Sequence, residues 1–340
     1  MLPIDKRIRE IGVSGAVLPA QLPDELLRAT EPYVVRGLAA HWPLVDAART
    51  SIDAADAYLR RFYAGATVGA MLGKPEIDGR FFYNQDLTGF NYYSAHARLD
   101  AVLEEMKGYR DNPRPAAIYV GSTTVDTVLP GLRAHNDINL GARDALASIW
   151  IGNQTRIAAH YDLPDNLAVV AAGRRRFTLF PPEQLANLYV GPLDFNPAGQ
   201  AISLVDFAAP DYTRFPRFRE ALAQAQVAEL EPGDAIFIPS MWWHHVEALA
   251  PFNVLVNYWW RQSPGYMDTP TNALMLALLT MRELPQAQRQ AWQEIFRHYI
   301  FEADEASVAH LPPHARYALA PLDEARARSL RATLSKRIDR

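Results

Sequence analysis

Between residues 148 and 260 the chain alternates short apolar runs with turn-forming residues. Runs at 148–151, 157–161, 167–172, 177–180, 235–238 and 254–260 carry many β-branched and aromatic side chains, and Gly, Pro, Asn and Asp stand between them. Short runs bounded by turn formers predict strands, and a series of them predicts a β-sandwich or barrel. Upstream the pattern is mixed. Strands are predicted at 32–37, 80–84 and 116–121, and helices at 51–62, with Ser51 as N-cap, and at 99–106. An irregular lead-in with a short helix opening at Leu22 precedes them.

Beyond Trp260 the spacing turns helical. Thr269-Pro270 opens a helix that Pro285 stops, and further helices are predicted at 286–299 and 323–338. The predicted organisation is a mixed helix/strand segment over 1–115 packing on the core, a β core over 116–262 and a helical region over 263–340. The last region carries apolar residues on more than one side of its helices, among them Leu274, Met275, Leu279, Trp292, Ile295 and Tyr299. That predicts burial against a second copy of the chain, a homodimer, as well as against the core.

Composition then removes several classes of function. The 340 residues include no cysteine, which excludes disulfides, zinc fingers and iron–sulfur clusters and leaves His and carboxylates as strong metal ligands. It also fits a reducing compartment. A net charge of −4 lacks the basic face of a general nucleic-acid binder. The first seven residues lack the apolar segment of a signal peptide, and no apolar run approaches a bilayer span, so a cytoplasmic protein with no membrane partner is predicted.

The candidate chemistry lies in His160-Tyr161-Asp162 and, some eighty residues later, Trp242-Trp243-His244-His245. On a strand, residues two apart share a face, so His160 and Asp162 would point together and Tyr161 away. A His on a paired strand would complete a two-His, one-carboxylate set, which leaves positions open on Fe(II). His244 and His245 face opposite ways, and only one can join. A second His-x-Asp, His135-Asn136-Asp137, has no apolar strand behind it and reads as a loop. Iron that activates oxygen needs a two-electron co-substrate, and 2-oxoglutarate must be held by its distal carboxylate. Arg175, of opposite parity to Arg174 and Arg176, is the candidate cation, and Tyr119 a second donor. The alternative is that all three arginines form a solvated edge. Asn166 and Asn257 are amides in apolar strands that must be satisfied, by the co-substrate or by a ligand His.

These residues, with Phe180-Pro181-Pro182-Glu183-Gln184, Pro232-Gly233-Asp234 and Ile238-Pro239, resemble the JmjC/cupin-like Fe(II)- and 2-oxoglutarate-dependent oxygenases. Among characterised members the chain is similar to the asparaginyl hydroxylase of hypoxia-inducible factor. The resemblance implies a mainly β, double-stranded β-helix (jelly-roll) core with flanking helices. It implies iron on His160, Asp162 and His244, with His244 preferred over His245. It implies 2-oxoglutarate on Arg175, where the family has lysine, with Tyr119, Asn166 and Asn257, and it sets Trp259 near the substrate. Ile157 falls where the family has a hydroxyl. Ala201-Ile202 replaces an Arg-Gln pair that holds the target amide, so the same asparagine recognition is not expected. The aromatic stretch around Tyr83 is a further candidate for the substrate side, with core packing as its alternative.

The expectation is a hydroxylase that uses Fe(II), 2-oxoglutarate and O2 on a protein side chain or a small molecule. A 2-oxoglutarate-independent metal enzyme and a non-enzymatic ligand-binding protein are the alternatives.

Overall fold

The computed structural model describes residues 4–11, 21–197 and 199–338. The lead-in expected at the start of the chain falls partly on 1–3 and 12–20, outside the described residues. The fold is mainly β, built on two sheets. With strands numbered along the chain, the nine-stranded sheet runs β1 (Arg9–Ile11), β2 (Tyr33–Val35), β12 (Ala235–Ile238), β9 (Asp165–Ala172), β14 (Asn253–Trp260), β7 (Leu146–Gly152), β6 (Ala117–Thr124), β3 (Thr67–Gly73) and β5 (Tyr92–Arg98). The five-stranded sheet runs β11 (Gln226–Leu230), β10 (Arg175–Phe180), β13 (Trp243–Ala248), β8 (Arg156–His160) and β4 (Arg80–Phe81). The pairings are antiparallel except β1 with β2 and β4 with β8.

The side-chain period of two sorts the large sheet into two faces. Leu167, Val169 and Ala171 of β9, with Val254 and Val256 of β14, bury outward against α1 (Pro43–Thr50), α2 (Ile52–Arg60) and α3 (Leu99–Gly108). Ala168, Val170 and Leu255 point inward and meet Phe177 and Val246 of the small sheet. Each fully buried side chain of this size contributes about 1.5–3 kcal/mol. A short α4 (Val125–Val128) follows β6, and α5 (Phe218–Gln224) packs Phe218 and Leu222 with Phe180 and Trp243 behind the small sheet.

Ser51 caps α2 as expected, its Oγ accepting from Ala54 N at 3.0 Å. The helix expected from Leu22 is only a 3-10 turn, Leu26–Arg28. The strand expected over 80–84 stops at Phe81, and Tyr83 makes one isolated bridge to Phe90. The strands Thr67–Gly73, Tyr92–Arg98 and Gln226–Leu230 were not expected. Residues before 116 therefore enter both sheets as β1–β5, besides supplying the helices α1–α3.

The chain divides into two compact units, Met1–Gln262 and Ser263–Arg340. The second is helical: α6 (Pro270–Thr280), α7 (Gln286–Phe296) running on into a π turn Arg297–Phe301, and α8 (Glu324–Ile338). Thr269 Oγ1 caps α6. Leu279, Phe301 and Tyr317 are exposed by 75%, 78% and 81%. Among the described residues no helix is long and apolar enough to cross a membrane.

Candidate metal centre and its cavity

β8 and β13 are neighbours in the small sheet, and His160 pairs directly with His244 across them. Chain segments some eighty residues apart thus set two imidazoles 4.3 Å apart, ring centre to centre. Asp162 lies past the end of β8 rather than on it, a correction to the two-apart strand geometry expected from the sequence. A turn holds it instead. Asp162 O accepts from Met241 N at 2.9 Å, Ser240 Oγ donates to Leu163 O at 2.7 Å, and Ser240 N donates to Asp165 Oδ1 at 2.9 Å. The loop after β8 is therefore stitched to the turn before β13. Asp162 Oδ2 comes within 3.6 Å of His244 Nε2.

One potential ligand atom from each of His160, Asp162 and His244 lies within 4.8 Å of the other two. His160 Nδ1 is 2.9 Å from Ala158 O and His244 Nδ1 is 3.0 Å from Trp242 O. Each Nδ1 carries its proton to a backbone carbonyl, which leaves the Nε2 lone pair free. Burial first, and the neighbouring His160 second, push His244 down to about 4, so it is a neutral imidazole at neutral pH. Neutral imidazoles beside a carboxylate form the donor set of a divalent metal. His245 turns the other way, packs on Phe207 at 4.5 Å and is depressed to about 3 by burial.

Register explains one departure from strict alternation. Between β8 and β13 the pairs are His244 with His160 and Val246 with Ile157, so a bulge absorbs one residue of β8. Ile157 and His160 differ in parity and still line the same cavity. That cavity, about 300 Å³, lies between the two sheets. Asp162, His160 and His244 line it with Asn166, Asn257 and Trp259 of the large sheet. Arg175 lines it too.

Arg175 is 2% exposed, whereas Arg176 on the opposite parity pairs with Glu229 at 2.6 Å and Glu247 at 3.4 Å. Gly173 turns the chain before it with φ +74°, where a Cβ would come within 2.4 Å of Asn253 Oδ1 and Phe252 O. The Nε and Nη2 atoms of Arg175 are buried without a hydrogen-bond partner. Tyr119 is its polar neighbour, and burial pushes that phenol up to about 12. A buried guanidinium with two unpartnered nitrogens is costly to desolvate. Asn257 accepts from Trp150 Nε1 at 2.7 Å and donates to Asn166 Oδ1 at 3.2 Å, so the amides expected to need partners satisfy one another.

Trp259 and Ile202 line the cavity as expected. Tyr83 does not. It stands one layer behind, packed with Ala158 and Ile202, and its hydroxyl donates to Phe195 O at 2.6 Å. Core packing, the alternative expected for this stretch, holds at Tyr83, which lies beyond the end of β4. Sequence reading overlooked Trp150, Ser122 and Pro197 in the lining. Ser148 and Trp150 share a parity within an apolar run, and that polar alternation was a usable signal for Trp150.

Comparison with known proteins gives the same picture. The lysine-specific demethylase JMJ31 of Arabidopsis thaliana is 34% identical over 271 residues, 70% of this chain and 48% of its own length. Human HSPB1-associated protein 1 is 34% identical over 152 residues, 43% of this chain and 30% of its own. The tRNA wybutosine-synthesizing protein 5 of Danio rerio is 37% identical over 106 residues, 31% of this chain and 29% of its own. The matched stretches thus span between 29% and 48% of the length of these relatives. The profile described as Cupin-like domain matches residues 19–266, most of the chain and every strand of the two sheets except β1, and the chain belongs to that family.

Proposed function

We propose that the protein is an Fe(II)- and 2-oxoglutarate-dependent oxygenase that hydroxylates a C–H bond of a protein side chain or a small molecule. The observation that carries this reading is Arg175, a buried guanidinium with unpartnered nitrogens facing the same cavity as His160, Asp162 and His244. A metal enzyme without a diacid co-substrate would have no use for it.

The donor set suits iron: His160 and His244 would ligate through Nε2, Asp162 through a carboxylate oxygen. When bound, iron would supply the redox chemistry that couples loss of carbon dioxide from 2-oxoglutarate to insertion of one oxygen atom into the substrate. The chain's own residues bind and orient. Arg175 lies four residues along β10 from the position paired with His244, about 13 Å at strand spacing. An arginine side chain and a five-carbon diacid together fill such a gap. Arg175 would take the distal carboxylate and Tyr119 would donate to it. Asn166 and Asn257 would orient the end near the metal. Ile157, Phe177, Val246 and Leu255 would form an apolar sleeve that excludes water.

Calorimetry on protein loaded with an inert divalent metal tests this. The expected result is 2-oxoglutarate binding that Arg175→Gln removes, and no binding to the wild type would sink the reading. The substrate is then sought as a product one oxygen atom heavier in lysate supplied with enzyme, iron and 2-oxoglutarate. A reducing, cytoplasmic setting belongs to the same reading, because the iron must be kept ferrous. We also propose a homodimer formed by the C-terminal helices, whose Leu279 and Phe301 are left largely exposed. Sedimentation of the full chain should give a dimer that Leu279→Asp with Phe301→Asp dissociates, and a monomeric wild type would rule it out.

A further inference from the structure

One loop contributes part of the cavity wall. Gly191 N donates to Ile202 O at 2.9 Å and Leu204 N to Tyr189 O at 3.0 Å, so the ends of this loop are pinned together. Pro197 and Ile202 from the loop line the cavity. An aromatic shelf holds the loop from behind. Phe195 stacks on Phe90 at 4.9 Å, Tyr83 donates to Phe195 O at 2.6 Å, and Tyr92 makes a longer hydrogen bond of 3.5 Å to Pro197 O. Tyr83, Phe90 and Tyr92 therefore act through the loop, while Phe81 of the same stretch lines the cavity itself.

The chemistry of the wall is uncharged. Among the described residues lining the cavity, the charged ones are Asp162 and Arg175, and the proposed function commits both. The rest of the outer wall is Ile202, Pro197, Phe81, Met71 and Trp259. A cationic group entering here would lose its water and meet no free carboxylate, which is strongly unfavourable. One unsatisfied donor remains: Trp259 Nε1 is buried without a partner. It suits a neutral acceptor such as an amide or carbonyl oxygen.

We propose that Pro197 and Ile202, presented by a loop that Tyr83 and Tyr92 hold as positioning residues, form the substrate-selecting wall of this cavity, and that it admits an uncharged, largely apolar group and rejects cations. This rests on the oxygenase reading for the roles of Asp162 and Arg175. The test uses the full chain loaded with zinc, with and without 2-oxoglutarate, and two probes of equal length, hexanamide and hexylammonium, followed by ligand-observed NMR. Hexanamide should bind at least tenfold more tightly, and Ile202→Asp should shrink that preference at least tenfold. Equal binding of the two probes by the wild type, or no binding of hexanamide, overturns the proposal. Since Ile202 is buried and its variant risks misfolding, Tyr83→Phe provides a second readout. Hydrogen exchange across 189–204 should rise several-fold while β8 and β13 stay protected, and unchanged exchange there removes the positioning role. If 2-oxoglutarate fails to bind but hexanamide is still preferred, the oxygenase reading fails and the selective wall stands.

Discussion

The same three-residue pattern occurs twice in this chain and has two different fates. In His135-Asn136-Asp137 the middle residue is the buried one. Asn136 Oδ1 accepts from Leu44 N at 2.9 Å and its Nδ2 donates to Tyr58 Oη at 3.0 Å, tying α1 and α2 together. Asp137 is taken by Arg133 at 2.9 Å, and His135 is exposed. In His160-Tyr161-Asp162 the middle residue packs away on Trp243 at 4.9 Å and the outer two turn to the cavity. Among the described residues no arginine pairs with Asp162; its partner is His244. A His-x-Asp presents free ligand atoms to a cavity when its neighbours leave the lone pairs unused, and serves as a structural joint when they consume them.

The largest effect that would break this comparison is loss of a ligand. His160→Ala or Asp162→Ala should lower metal affinity by more than about 100-fold, because even residues that only support a ligand cost about 10–100-fold. Metal content after dialysis checks this, and a mutant that retains metal like the wild type refutes the site. Next, Arg175→Gln should weaken 2-oxoglutarate by about 2–5 kcal/mol, as expected for removing one side of a buried charged contact, with metal content unchanged. Unaltered 2-oxoglutarate affinity would free Arg175 of its role. Removing metal with a chelator should lower stability by about 2.7 kcal/mol relative to protein at a hundred times the metal Kd, and Asp162→Ala should abolish that difference in thermal melts. Asn136→Ala should cost about 1–3 kcal/mol by leaving Leu44 N unpaired, without loss of metal. The smallest effect belongs to His135→Ala, within about 0.5 kcal/mol of wild type in both melting and metal content. Metal loss in either of these last variants would mean the two motifs are not as separate as their surroundings imply.

Legibility followed how far each feature depends on local pattern. The buried strands β7, β9, β12 and β14 were readable because long β-branched runs leave little choice of structure. β3 and β5 were missed: Thr67–Gly73 is rich in Gly, Ala and Met, and Tyr92–Arg98 is an edge with mixed polarity. Their strand character comes from pairing with each other and with β6. Arg175 was readable by parity from the turn at Gly173. Tyr83 follows the core-packing alternative, because β4 ends at Phe81 and Tyr83 beyond it packs on Phe90 and Phe195. Asp162 was read as a ligand candidate through the wrong geometry, since the turn that aims it is fastened from Ser240 and Met241, far along the chain.

The sequence by itself determined the alternating β pattern, the absence of thiol ligands, the His and carboxylate candidates and the odd-parity arginine, because residue type and spacing are local properties. The tertiary structure decided which histidine faces the cavity, how Asp162 reaches it, that two nitrogens of Arg175 stay without partners while Arg176 pairs with two carboxylates, and that Tyr83 supports a loop while Phe81 lines the site. Those outcomes depend on strand register, on one bulge and on which buried polar atoms find partners and which do not, and none of these is a property of a short stretch of chain.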